Sequence, residues 1–399
     1  MADTEGFTEL KRRLAGRTNT NADEWHLTFK ARQAMQVAFQ AAHAATGRTE
    51  VVTQVFTCVT AVDPILSASL TPVYADVEKD TLSVDLSTVR LGDDTCAVVL
   101  QHTFGLIDPV SDRKIVDAAH AAGAIVVEDC AHCIGRMSVG KDGKPLADVS
   151  IHSFGVEKVL PGVYFGGAAW VNPELDSKMH DHIVGAFKTL PEPVRTLTNA
   201  AKQYRNQIRL LTRVPQNLST RMRERWVRRG VFEPAVADKE LRGKLSRTPS
   251  LPSDWVVSED LKALEGIQGN ENGRVSCVES YRKWWGADEA RSLGVCAPIM
   301  AGDSQPLLRM PIFFETAEVA DEAIRIVSDL GYYAVAWPRP LLLPGVKKLA
   351  PYGIESFDAW PVSVRLSRGI CALPTDIDST QVHVVAEAMR ELSRKQKRF

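Results

Sequence analysis

Between residues 31 and 172 the chain alternates two textures. Residues 31 to 39 are Ala-rich with helical spacing, and the short apolar run Val51-Val52-Thr53-Gln54-Val55-Phe56 follows. A second helical stretch leads into Pro72-Val73-Tyr74-Ala75-Asp76. Then come Ala97-Val98-Val99-Leu100, a helix near 109–122, and Ala124-Ile125-Val126-Val127-Glu128-Asp129. Residues 149 to 154 and 167 to 171 complete the series. Continuous apolar runs separated by helical segments predict a mostly parallel sheet covered on both faces. Ligands of such sheets bind at the carboxyl ends of the strands. The polar residues that end the runs are therefore the candidates for chemistry: His102, Asp129 and the segment 153–158.

The texture changes after residue 173. Between 195 and 229 there are ten Lys or Arg and a single acid, Glu224, which reads as a basic helical excursion. Thr248-Pro249-Ser250-Leu251-Pro252-Ser253 has linker composition and predicts a hinge. Beyond it the pattern is helix-rich α+β, with helices near 258–290, 316–330 and 379–396 and strands near 307–313 and 368–372. The expected fold is thus α/β: a three-layer sandwich around a mostly parallel sheet in residues 1–250, plus a smaller α+β domain in 251–399.

Composition changes this picture little. A 45% hydrophobic, 24% charged chain of 399 residues is an ordinary globular protein. The net charge of -1 offers no global attraction to nucleic acid. Seven dispersed cysteines read as reduced thiols, and the first residues lack the apolar stretch of a signal peptide, so a cytoplasmic location is expected.

Asp129 and Lys158 form the central pair. A partly desolvated lysine amine can condense with an aldehyde cofactor and then serve as a base. A carboxylate keeps the ring nitrogen of such a cofactor protonated. Local text adds weight. Glu128-Asp129-Cys130-Ala131-His132-Cys133-Ile134-Gly135, then Ser153-Phe154-Gly155-Val156-Glu157-Lys158, then Gly166-Gly167 follow in order. Upstream stand Phe56-Thr57, Thr71-Pro72-Val73-Tyr74-Ala75-Asp76-Val77, Asp80-Thr81-Leu82 and His102-Thr103-Phe104-Gly105; downstream stand Trp360-Pro361-Val362 and Leu373-Pro374-Thr375.

This ordered set resembles the DegT-like sugar aminotransferases, pyridoxal-phosphate enzymes of the aspartate-aminotransferase fold. The resemblance implies pyridoxal 5'-phosphate carried on Lys158, with Asp129 on its ring nitrogen and His132 beside the ring. It also implies Ser153 at the phosphate, together with the backbone of Ala31, Arg32 and Gln33, where helix N-terminal amides suit an anion. Cys58 falls where many relatives place an aromatic ring that stacks on the cofactor. Ala31 replaces a glycine, and the N-x-R segment that reaches the phosphate from a neighbouring subunit is missing. The implied activity is transfer of an amino group from an amino-acid donor to a keto sugar or similar small keto substrate, in a homodimer. Dehydration of a sugar on the same residues, and cofactor binding without turnover, are the alternatives.

Other features have plainer readings. Cys130 and Cys133 lack the second ligand pair of a zinc site, so no metal is expected, and they read as buried thiols flanking His132. His102 is either a substrate-facing group or a satisfied core histidine. The basic stretch 195–229 reads as a solvated face or subunit contact, with an anionic membrane surface or phosphorylated substrate as the alternative.

Overall fold

The computed structural model describes residues 4–156, 158–339, 341–342, 344–346 and 348–396. Glu157, part of the motif above, lies outside them. Seven strands form the main sheet: β1 (Trp25–Thr28), β2 (Glu50–Gln54), β3 (Thr71–Ala75), β4 (Thr95–Gln101), β5 (Ile125–Cys130), β6 (Val149–Ser153) and β7 (Gly167–Val171). Their order is β1-β7-β6-β5-β4-β2-β3. β7 runs antiparallel to both its neighbours, and the remaining pairings are parallel. β1, β2, β4, β5 and β6 therefore all end at one edge of the sheet.

The two faces are packed separately. Ile125, Val127, Val149 and Ile151 meet the helix Ala31–Thr46, whose inward face is mostly alanine, so the helix lies close against the strands. Val98, Leu100 and Val126 face the other way, onto Ile115, Val116 and Ala119 of the helix Pro109–Ala121. The sandwich and its mostly parallel sheet are as expected. The strand β1 and the helix Thr4–Thr18 escaped the periodicity because both are short of apolar contrast.

In the C-terminal part, β8 (Arg309–Phe313) pairs antiparallel with β9 (Ile370–Pro374), flanked by the helices Ala317–Asp329 and Val382–Gln396. The single helix expected near 258–290 is two, Asp254–Glu265 and Ile267–Ser292, the second kinked at Gly286. The break expected at 250/251 does not coincide with a change of core. Val257 and Leu264 pack with Leu10, Leu14 and Trp25, whereas Cys277 and Tyr281 join the core around β8 and β9.

The Gly166-Gly167 pair has a steric cause. Gly166 has φ +111, and a Cβ at Gly167 would stand 2.4 Å from the Ala31 nitrogen. Only glycine lets β7 run this close to the start of the helix Ala31–Thr46. Gly167→Ala is expected to cost about 2 kcal/mol or more through overpacking, read as a lowered urea midpoint; an unchanged midpoint would contradict the close approach.

Candidate active site

The edge where the parallel strands end is built around two adjacent acids on β5. Successive side chains on a strand face opposite ways, so Glu128 and Asp129 enter different environments. Glu128 is fully buried. It accepts from the Ser138 amide at 2.6 Å and from the Ser150 hydroxyl, and pairs with His102 Nε2 at 2.7 Å. Burial disfavours a charged His102, but the Glu128 bond and the Asp112 and Glu128 charges outweigh it and push its pKa up to about 10. His102 is thus a buried cation locked to a structural anion on the face away from Asp129. The His102 Nε2 is held by Glu128, as in a satisfied core histidine. Donor atoms of His102, Glu128 and Cys130 lie within 4.8 Å of one another. Glu128 is already satisfied by its three protein partners, and the cluster needs no ion.

Asp129 shares its face with Ile125 and Val127, beneath the N-terminus of the helix Ala31–Thr46. It is 8% exposed, and its Oδ1 accepts the Ala131 amide at 3.0 Å. Burial raises its pKa, opposed by the Ala131 bond and the charge of Lys158. Ser153, which ends β6 on the same face, accepts the Gly155 amide at 3.1 Å.

His132 stands next to the lysine. Its Nε2 is 2.9 Å from Lys158 Nζ, and its Nδ1 accepts the Phe104 amide at 3.0 Å. Burial, followed by the Lys158 charge, holds its pKa well below the ordinary histidine value, so the ring is neutral. With Nδ1 accepting, the neutral ring carries its proton on Nε2. That nitrogen is the one that faces Lys158 Nζ.

The Phe104 amide can reach His132 only because the chain turns sharply after β4. Phe104 has φ +58 and Gly105 φ +81, and a Cβ at Gly105 would come within 2.6 Å of the His132 carbonyl oxygen. A non-glycine residue with positive φ stores strain, a frequent feature of working sites. The Phe104 ring stacks over His132 at 6.2 Å, and Trp337 stacks on Phe56 at 4.0 Å and meets Phe104 edge-on. Sequence reading missed the roles of Phe104 and Trp337. The quoted His102-Thr103-Phe104-Gly105 run was the available signal for the first.

Lys30 precedes the helix Ala31–Thr46, and no side chain caps it, which leaves the first-turn amides of Ala31 and Arg32 as the anion donors. The Gln33 amide instead donates to the Lys30 carbonyl at 2.9 Å, and its side chain holds the Thr248 carbonyl. The Arg32 side chain pairs with Glu240 at 2.8 Å and donates to the Ala235 carbonyl. The Gln33 amide and side chain and the Arg32 guanidinium are thus all engaged, the two side chains by residues 233–250, which fold back over the helix start. Lys30 is likewise paired, with Glu233 at 2.6 Å. Cys58 is half-buried at the start of the helix Val59–Ser67, and its Sγ takes a bond from Thr60. No ring occupies that position.

The sequence model of the DegT/DnrJ/EryC1/StrS aminotransferase family matches residues 28–208, from β1 through the whole sheet. Residues 28–208 of this chain are therefore similar to that family. It is similar to GDP-perosamine synthase of Vibrio cholerae, 32% identical over 129 residues, which are 31% of this chain and 35% of that one. It also resembles a UDP-N-acetyl-3-dehydro-alpha-D-glucosamine 3-aminotransferase of Acidithiobacillus ferrooxidans, 28% identical over 33% of this chain and 36% of that one. The alignments thus span about a third of the length of these curated relatives. Whole folds agree further. The aminotransferase TlmJ from Streptoalloteichus hindustanus superposes with a TM-score of 0.68 at 19% identity, covering 99% of this chain and 93% of that one. An aminotransferase from Psychrobacter cryohalolentis gives 0.63 at 14% identity, covering 98% and 92%. The DegT/DnrJ/EryC1/StrS segment contains every strand-end residue described above, whereas the folded-back cover at 233–250 lies outside it.

The His102–Glu128 pair gives stability a pH dependence. The folded pKa of His102 lies above its unfolded value of about 6.5, so its contribution is complete below that pH and is lost as pH rises toward 10. The urea midpoint should fall between pH 7 and 10. His102→Gln should flatten that slope and cost about 3 kcal/mol at neutral pH by stranding Glu128. Parallel pH profiles for the two proteins would contradict the pairing.

Proposed function

We propose that the chain is a pyridoxal-phosphate-dependent aminotransferase that moves an amino group from an amino-acid donor to a keto sugar or similar small keto substrate. The observation that carries this reading is the set at one sheet edge: Asp129, a buried carboxylate near the Lys158 charge, and His132, a neutral imidazole 2.9 Å from the Lys158 amine. The family match supports it, as do the sugar-nucleotide chemistries named for the curated relatives. A protein of the same fold from Streptococcus pneumoniae, named for sugar aminotransferase activity, has been solved in PLP and PMP forms.

The residues present fit the cofactor at its ring end. Asp129 is a carboxylate whose pKa burial raises, against the Ala131 amide and the Lys158 charge. A protonated ring nitrogen would add positive charge beside it. Ser153 and the amides of Ala31 and Arg32 would hold the phosphate, with less help than a bare helix start would give, since Glu233 and Glu240 sit beside it. Bound there, pyridoxal phosphate supplies an electron sink for a carbanion next to nitrogen.

The protein's own part is to place and move protons. His132, fixed by the Phe104 amide, orients the Lys158 amine. Lys158 then holds the proton that leaves the substrate carbon and returns it. Asp129 keeps its negative charge pointed at the ring nitrogen. The aromatic wall of Phe56, Phe104 and Trp337 limits water at the same edge. In this reading residues up to about Gly266 form the cofactor domain. The remainder packs on it through a core shared by Phe56, Phe104, Tyr281 and Trp337. A homodimer and a cytoplasmic location complete the proposal; none of the described helices is long and apolar enough to cross a membrane.

Adding pyridoxal phosphate should produce a visible absorption band that borohydride reduction fixes on the peptide containing Lys158, and an amino donor such as glutamate should bleach it. Lys158→Ala should lose the band and at least about a thousandfold in turnover. Labelling at another lysine would overturn the proposal, and a band that no amino donor bleaches would leave cofactor binding without amino transfer.

A further inference from the structure

The basic excursion stands apart from the site. Its two helices, Arg195–Leu211 and Gln216–Arg228, carry nearly all its charge, while the chain as a whole has a net charge of -1. The positive charge is therefore concentrated here and balanced by acids elsewhere. The first helix is anchored by Leu197, Ala201 and Tyr204 against Phe165 and Phe232. The second buries none of its residues and leans on this core through Met222 and Trp226. Beside this contact runs an exposed stripe, Leu218, Arg221, Arg225 and Arg228, at the three- and four-residue spacing that aligns side chains along a helix, with Arg228 3.9 Å from the one acid, Glu224. All four are exposed, Leu218 at 46%, and Leu210 at the end of the first helix is 45% exposed.

We infer that this helical pair docks on the surface of an anionic phospholipid bilayer. Arginines set around outward leucines match a charged headgroup layer over an acyl boundary. Single-stranded nucleic acid would call for exposed aromatic rings to stack on, and Trp226 faces inward. A two-fold contact between copies would set the basic patch against itself. The inference rests on this surface alone and stands or falls independently of the chemistry at Lys158.

The test is co-sedimentation of the full-length protein with vesicles of phosphatidylcholine alone or mixed with phosphatidylglycerol. Binding should be at least about tenfold stronger to the anionic vesicles and should fall by about tenfold when salt is raised to ~0.5 M, as screening shortens the reach of the charges. Arg221→Glu, Arg225→Glu and Arg228→Glu combined should lower it by about a hundredfold, at roughly fivefold per lost cation or more. Leu210→Ser with Leu218→Ser should lower it about tenfold while keeping the salt dependence. Far-UV circular dichroism of each variant serves as the fold control. Equal binding to both vesicles, or no binding, would overturn the inference. So would tighter binding to single-stranded RNA that the leucine variants leave unchanged, or a charge-reversed variant that alters only oligomeric mass.

Discussion

A strand buried on both faces cannot leave a charge unanswered, and β5 carries two acids in succession at its end. Glu128 is answered entirely from within by the His102 cation, a serine amide and a serine hydroxyl. Its neighbour is not. Asp129 receives one amide and the field of Lys158, and burial pulls its pKa upward. The cost of an under-compensated buried carboxylate is what makes this edge ready for a cationic ligand group. Everything else at the site follows from which way each acid faces.

The remaining parts come from distant stretches of chain brought together by steric permission. Gly167 lets β7 run against the helix start, and the turn at Phe104 and Gly105 carries an amide to His132. Strain at Phe104 is tolerated because the aromatic packing of Phe56, His132 and Trp337 surrounds it. The helix start itself is a compromise. No side chain caps it, but Glu233 and Glu240 neutralise the two cations beside it. Asp63, buried nearby, has its pKa pushed to about 8 by burial and the Glu240 charge, so it adds little negative charge at neutral pH. The charge offered to a phosphate is thus set largely by a segment some two hundred residues away.

Much of the fold was legible because strands buried on both faces write themselves as apolar runs. β4, β5, β6 and β7 were read to within a residue or two, and their polar ends pointed to Asp129, Ser153 and Lys158. The ordered motifs placed His132 beside them. Asp129 and Lys158 as types and positions were therefore determined by sequence.

Direction and partnership were not. Nothing in the order Glu128-Asp129 says which acid faces the helix, and His102 could be read either way until Glu128 was seen to hold it. The partners of the Arg32 and Gln33 side chains, Glu240 and the Thr248 carbonyl, are likewise invisible in sequence because they become neighbours only through folding. The cores do not divide at the proline-rich stretch for a similar reason. A proline-rich stretch signals a turn, but whether the next helix returns to the old core depends on the contacts of Val257 and Leu264. Periodicity records how each segment meets its own surroundings. Which distant charges meet is decided only when the chain has closed around them.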